Sequence, residues 1–192
     1  PKRKEFFEKE CRILTDLLYN HPSVVYYTIF NEGWGQYEAD RIYDDMRTYD
    51  PTRVWDATSG WFIEKDSDVD SHHIYFRRIR LKAREERPLV LSEFGGYSWK
   101  VDGHSFNLDE EYGYKKFKSG EELTKGICDM YYNDIVPAIK NGLNAAVLTQ
   151  VSDVEDETNG ILSYDRKVLK IEPEEFFPVS EKIYNEIIEK IK

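Results

Sequence analysis

Apolar positions along the chain alternate between two rhythms. Over residues 5–19, Phe6, Phe7, Cys11, Leu14, Leu17 and Leu18 recur at helical spacing and predict an amphipathic helix. Asn20-His21-Pro22 closes it, because the residue before a proline avoids the helical region. Val24-Val25-Tyr26-Tyr27-Thr28-Ile29-Phe30 follows, an unbroken β-branched and aromatic run that suits a parallel strand buried on both faces. The rhythm then repeats: a loop at 31–36, a helix over 37–49 ended by Asp50-Pro51, and a short strand over 54–58 turned by Ser59-Gly60. A weaker strand is expected at 69–75, a basic helix at 76–87, and a strand at 88–92 followed by a turn at Glu93-Phe94-Gly95-Gly96. A long loop over 97–119, rich in Gly, Asp and Tyr, is of the length that is usually functional or mobile. A helix over 121–140 ends well at Asn141-Gly142, and a fifth strand at 145–151, an acidic loop at 152–159 and a closing helix at 181–191 complete the pattern.

Strand–helix alternation is the mark of α/β architecture with parallel strands. Five strands in 192 residues fall short of a (β/α)8 TIM barrel, which needs eight strands and typically about 250 residues. The expectation is one domain, either an open α/β sheet or part of a barrel. No internal repeat or low-complexity tract is visible.

Composition narrows the function. Hydrophobic residues make up 40% and aromatics 15%, enough to fold rather than stay disordered. A net charge of −10 argues against a nucleic-acid partner or an anionic membrane surface, both of which call for a basic face. Cys11 and Cys128 sit in helical patterns among apolar neighbours and read as reduced, packed thiols. No apolar run of about 18 residues is present to span a membrane, and the charged N-terminus lacks a signal core. In this reading the chain starts within a helix, so a longer parent polypeptide is expected and localisation stays open, with the cytoplasm slightly favoured.

In α/β folds the reactive groups lie at the C-terminal ends of the strands. That rule singles out two of the 37 acidic residues, Glu32 after the 24–30 strand and Glu93 after the 88–92 strand. Glycines follow each, Gly33 and Gly35, then Gly95 and Gly96, where backbone and ligand can approach closely. Two carboxylates across one cleft can cleave a glycosidic bond, with retention at roughly 5 Å and inversion at roughly 6.5–9.5 Å. Either glutamate alone would equally serve as a helix-start charge or a solvated loop group. Trp34, Trp55, Trp61, Tyr75, Tyr97 and Trp99 crowd the same strand ends; Trp34, Trp61 and Trp99 lie in predicted loops and are candidates to stack on sugar faces, while Trp55 reads as core. His72-His73 suggests hydrogen bonding in a pocket or plain packing rather than metal, since no third ligand stands at motif spacing and adjacent strand residues face opposite ways. Asp153-Val154-Glu155-Asp156-Glu157 lacks calcium-loop spacing and reads as a solvated loop. No phosphate loop, dinucleotide fingerprint or nucleophile elbow is present.

At these residues the chain resembles glycoside hydrolase family 2, which holds β-galactosidases, β-glucuronidases and β-mannosidases. His21-Pro22-Ser23-Val24-Val25 through Asn31-Glu32 is similar to the family's acid/base segment, and Ser92-Glu93-Phe94-Gly95 to its nucleophile segment. Arg53-Val54-Trp55 through Gly60-Trp61 resembles the fifth barrel strand, Asp70 through Tyr75 the sixth, and Leu148-Thr149-Gln150-Val151-Ser152-Asp153 through Gly160 the eighth with its loop. The likeness runs over nearly the whole chain in order. It implies the C-terminal part of a (β/α)8 catalytic domain over residues 1–192, without the upstream β-sandwich domains and first barrel strands. It further implies Glu32 as general acid then base, Glu93 as nucleophile, Asn31 on the sugar 2-hydroxyl and Tyr75 supporting the nucleophile. Trp34, Trp61, His72, His73 and Trp99 would line the sugar site. No cofactor or metal is needed by that mechanism, though some relatives bind magnesium or sodium. Many relatives carry a tryptophan where Thr149 falls, so the pocket wall, and with it the sugar accepted, differs. The expected function is a retaining β-glycosidase, β-galactosidase first, acting on a carbohydrate. The alternatives are an inactive carbohydrate-binding or assembly fragment, and an α/β hydrolase of other chemistry using Glu32 as base. Open strand edges in a partial barrel would invite self-association.

Overall fold

The computed structural model describes residues 2–84 and 86–191; Pro1, Glu85 and Lys192 lie outside the description. The chain is mixed α/β and divides into two compact units, Pro1–His73 with Arg84–Ser92, and Ile74–Ala83 with Glu93–Lys192.

In the first unit, α1 (Lys2–Leu18), β1 (Tyr26–Asn31), α2 (Ala39–Tyr49) and β2 (Val54–Ser59) follow the expected order. β1 and β2 pair in parallel, Tyr27 opposite Trp55 and Asn31 opposite Ser59. Ala39, Ile42 and Met46 of α2 recur on one helix face and pack with Phe30 and Trp55 into the core, joined by Phe7 and Cys11 from α1. Offset ring pairs tie the layers: Phe7 on Phe30 at 5.1 Å and Tyr27 on Trp55 at 4.7 Å between centroids. Trp55 also donates its indole N–H to the Asp50 carbonyl at 2.8 Å, which fixes the turn that Asp50-Pro51 makes after α2. Next come β3 (Asp70–Ile74) and β4 (Leu89–Gly95); the Asp70 N–H that opens β3 donates to the carbonyl of Pro88, the residue before β4, at 2.9 Å.

The second unit holds β5 (Tyr97–Ser98), β6 (Lys115–Lys116), α3 (Gly120–Met130), α4 (Val136–Lys140), β7 (Leu143–Thr149) and α5 (Pro173–Ile191). Ser119 caps α3 by accepting from the Glu122 N–H, while the Glu122 carboxylate reaches back to the Lys118 N–H. A π-helical turn at Tyr131–Ile135 joins α3 to α4 without a break, so residues 120–140 form one helical run as expected. Phe94, Leu123, Ile127, Ile139 and Val179 are buried together with Leu143. The segment after β7 is pinned by an interior ion pair. Lys170 Nζ lies 2.8 Å from Asp153 Oδ1 and 2.9 Å from the Thr158 carbonyl, and the Gly160 N–H also donates to Asp153.

Several expectations are corrected. Residues 76–84 form no helix; they run as irregular chain, and Glu85 of that expected helix lies outside the description. The reason is period: Ile79, Leu81 and Ala83 turn inward while Arg80, Lys82 and Arg84 are exposed, an alternation of two that no helix face can satisfy. β4 continues through Glu93 to Gly95, so Glu93 belongs to the strand rather than to a following turn. The loop at 97–119 contains the short parallel pair β5–β6. α5 begins at Pro173, earlier than the expected 181, with Pro178 inside it. β1 is not buried on both faces; Phe30 alone of its residues is fully buried. β7 likewise exposes Asn144 through Val147. The sheets are small, and none closes into a barrel among the described residues. Cys11 and Cys128 are free and half-buried, and burial raises both thiols above their ordinary pKa. No helix among the described residues is long and apolar enough to cross a membrane.

Candidate functional site

Each unit presents one carboxylate cluster at strand ends. In the first unit, Glu32 directly follows β1. Its backbone lies at φ 52°, a left-handed conformation that a non-glycine residue adopts at some cost. Its N–H donates to the Ser59 carbonyl at 2.9 Å, which extends the β1–β2 ladder by one rung and holds the turn. The Glu32 carboxylate and Nδ1 of the buried His73 share a hydrogen bond 2.7 Å long. Gly60 makes room for this ring: at φ 90°, a Cβ there would stand 2.7 Å from His73 Nδ1. Asn31 is positioned by Ser59, whose hydroxyl donates to Asn31 Oδ1 at 2.9 Å. His72, its neighbour on the opposite strand face, pairs with Asp70 at 2.9 Å. Trp34 and Trp61 do not pack into a wall: Trp34 is 81% exposed and Trp61 50%. A recess of about 220 Å³ beside Glu32 is lined by Gly33, Gln36, Tyr37, Phe62 and Glu64.

In the second unit, the Tyr75 hydroxyl, one residue beyond β3, donates to the Glu93 carboxylate. Thr149 Oγ1 at the end of β7 lies 3.0 Å from the same hydroxyl. Burial, and then the carboxylate beside it, hold the Tyr75 phenol far above its ordinary pKa, so it remains a donor throughout the working range. Tyr114 stacks on Tyr75 at 4.2 Å between centroids and fixes the ring. Gly96 permits that stack: it sits at φ 61°, and a Cβ there would collide with the Tyr114 ring. Trp99 is part-buried and held by its N–H to the Thr158 carbonyl at 3.1 Å. The peptide between Thr149 and Gln150 is cis.

Asp56 is not singled out by the sequence pattern. It is fully buried on β2, accepts from the Tyr26 hydroxyl at 2.7 Å through Oδ2, and its Oδ1 has no hydrogen-bond partner among the described residues. The available signal was an acid inside the apolar run Val54-Trp55-Asp56-Ala57. Burial raises the Asp56 carboxyl above the ordinary range, the Tyr26 bond offsetting only part of this. A raised folded-state pKa means the folded chain holds that proton more tightly than the unfolded chain. Stability from this group is therefore greatest at low pH and declines as pH rises from about 3.9, the unfolded value, through the folded one. Asp56→Asn is expected to gain melting temperature relative to wild type as pH is raised from acid to neutral. A difference independent of pH would show that Asp56 does not carry the shift.

The arrangement supplies a carboxylate hydrogen-bonded to imidazole in one unit and a carboxylate hydrogen-bonded to phenol in the other. Such groups can exchange a proton or attack an electrophilic carbon. No protein-family model and no curated protein matches the sequence. Solved structures do share its fold. A Bacteroides fragilis protein described as a candidate β-galactosidase matches with a TM-score of 0.63 at 16% identity, over 92% of this chain and 31% of that one. A β-glucuronidase from an uncultured Clostridium sp. matches with a TM-score of 0.58 at 15% identity, over 94% of this chain and 36% of that one. The fold is therefore one found within glycosidase chains, and this chain spans about a third of the length of each.

Proposed function

We propose that the chain is the C-terminal part of the (β/α)8 catalytic domain of a retaining β-glycosidase of glycoside hydrolase family 2, with terminal β-galactosides as the first substrate class. The observation that carries this reading is the Tyr75 hydroxyl bound to the Glu93 carboxylate at the end of β4. A nucleophilic carboxylate must be oriented toward an anomeric carbon, and the hydrogen bond donated by the Tyr75 phenol orients it. Glu32, bound to His73, takes the acid/base role. It protonates the leaving oxygen as Glu93 attacks, then deprotonates the water that releases the sugar from Glu93. Asn31, with its amide oriented by Ser59, meets the sugar 2-hydroxyl. His72, Trp34, Trp61 and Trp99 are assigned to the surrounding sugar contacts.

The partial-barrel assignment of residues 1–192 is supported by exposure at both terminal strands. Val25, Thr28 and Asn31 are open at β1, and Asn144 through Val147 at β7. Barrel strands are covered on both sides, so strand–helix units from additional polypeptide, or a second copy, would occupy these edges.

The test is incubation with an activated 2-deoxy-2-fluoro-galactoside, read by intact mass and peptide mapping. The expected result is one sugar-sized adduct on Glu93. A folded protein that forms no adduct with galactosyl, glucuronyl or mannosyl reagents would instead favour the inactive fragment.

A further inference from the structure

The acidic chain carries one concentrated basic stretch. Residues 77–83 contain four cations, Arg77, Arg78, Arg80 and Lys82, and no acid, within a chain of net charge −10. Arg80 and Lys82 are both exposed, while Leu81 between them is part-buried. The segment borders a cavity of about 700 Å³ in the second unit, which adjoins a smaller one of about 380 Å³ through the shared residues Arg78, Asn133 and Asp134. Within this trough Arg78 is neutralised by Asp134 at 2.8 Å, and Asp129 is countered by Lys125 at 3.7 Å. Arg77, Arg80, Lys82 and Lys115 have no ion-pair partner among the described residues, so the trough is net cationic. Its other wall is aromatic. Tyr97 and Tyr114 line it, with the Lys115 ammonium 5.0 Å from the Tyr97 ring centroid. The trough opens beside Tyr75, the residue that holds Glu93.

We infer that this trough binds an anionic glycan, the part of the substrate beyond the cleaved bond, so that the proposed glycosidase acts on chains bearing carboxylate or sulfate groups. The inference rests on the glycosidase reading and specifies its substrate class. Aromatic faces receive sugar rings, and unpaired guanidinium and ammonium groups receive the acidic substituents. A neutral glycan would leave Arg77, Arg80 and Lys82 without a counter-charge. A nucleic acid would meet the same local charge, but the −10 net charge of the chain opposes a long polyanion.

The test uses calorimetric titration of the full chain with tetragalacturonate, a heparin-derived tetrasaccharide, neutral galactotetraose and a short single-stranded oligonucleotide. The expected result is preference for one or both acidic glycans over the neutral one by about tenfold, lost between about 50 and about 500 mM salt as screening shortens. Arg80→Gln/Lys82→Gln should weaken acidic-glycan binding by about tenfold, the order expected for two exposed ion pairs. Lys9→Gln/Lys167→Gln removes the same charge elsewhere and should not. Circular dichroism of both variants establishes that they are folded. Binding of tetragalacturonate would show that carboxylates suffice, and binding of the heparin fragment alone that sulfate is required. Equal binding of neutral and acidic glycans, equal binding of the oligonucleotide, or an unchanged Arg80/Lys82 variant overturns the inference. A Glu93 adduct without acidic preference removes the trough alone and leaves the glycosidase reading. Acidic preference without an adduct removes that reading and leaves the trough.

Discussion

Glu93→Gln is expected to lower hydrolysis of an aryl β-galactoside by at least about 10⁴-fold, because a neutral amide cannot form the covalent intermediate that divides the reaction into two easier steps. The substitution is close to isosteric. The Gln carbonyl oxygen can still accept from the Tyr75 hydroxyl, which is stacked on Tyr114, so packing at the end of β4 should hold. Melting temperature should therefore change little while turnover collapses. Tyr75 itself touches Glu93 rather than any reacting atom on the sugar and acts as a positioning residue. The decisive readout is the smaller variant Glu93→Ala with added azide. An external nucleophile entering the vacated space would give a glycosyl azide of inverted configuration at a restored rate. If Glu93→Gln keeps activity within about tenfold of wild type, Glu93 is not the nucleophile, and the reading of Glu32 as base in some other hydrolase gains ground.

Legibility along this chain followed local chemistry. The strands near 24–30, 54–58 and 88–92 were readable because β-branched and aromatic runs there are bounded by Pro and Gly. The basic character of residues 76–87 suggests a helix. The alternation Ile79-Arg80-Leu81-Lys82-Ala83-Arg84 was the better guide, since its period is two. The end of β4 was misjudged because Glu93 and Gly95 look like turn residues. In the fold, Phe94 between them is fully buried, and that burial carries the strand onward. Pro178 masked the first turns of α5, because a proline inside a helix removes a backbone donor and usually marks a boundary.

The candidate site divides the same way. That glutamates follow strong strands could be read locally. What holds each one could not: the His73–Glu32 bond spans 41 positions and the Tyr75–Glu93 bond 18. Tyr75 could be read as an aromatic at a strand end, but its role beside Glu93 only through the family resemblance. The exposure of β1 and β7 was equally hidden, because an apolar run reads as buried whether or not its neighbour is present. Asp56 shows the opposite case, a polar residue in an apolar run whose burial without full hydrogen bonding costs stability unless something else in the site uses the charge.

Glu32→Gln should separate its two roles by leaving group. General acid–base groups contribute about 10²–10⁴-fold, and the acid is needed most when the leaving oxygen is basic. An unactivated alkyl β-galactoside should therefore lose rate across that whole range. A dinitrophenyl galactoside departs without a proton and should form the glycosyl-enzyme at nearly the wild-type rate. It should then stall, because Glu32 is also the base that activates water for release. A burst of phenol followed by slow turnover is the expected trace, and azide, which needs no base, should accelerate the slow phase. His73 bears on this directly: its imidazole shares a 2.7 Å hydrogen bond with Glu32, and Gln at position 32 would keep a partner for Nδ1 while removing the transferable proton. The fold around the ring should survive. Equal losses for the two leaving groups, with no azide effect, would show that Glu32 orders the β1–β2 turn through its left-handed backbone and transfers no proton.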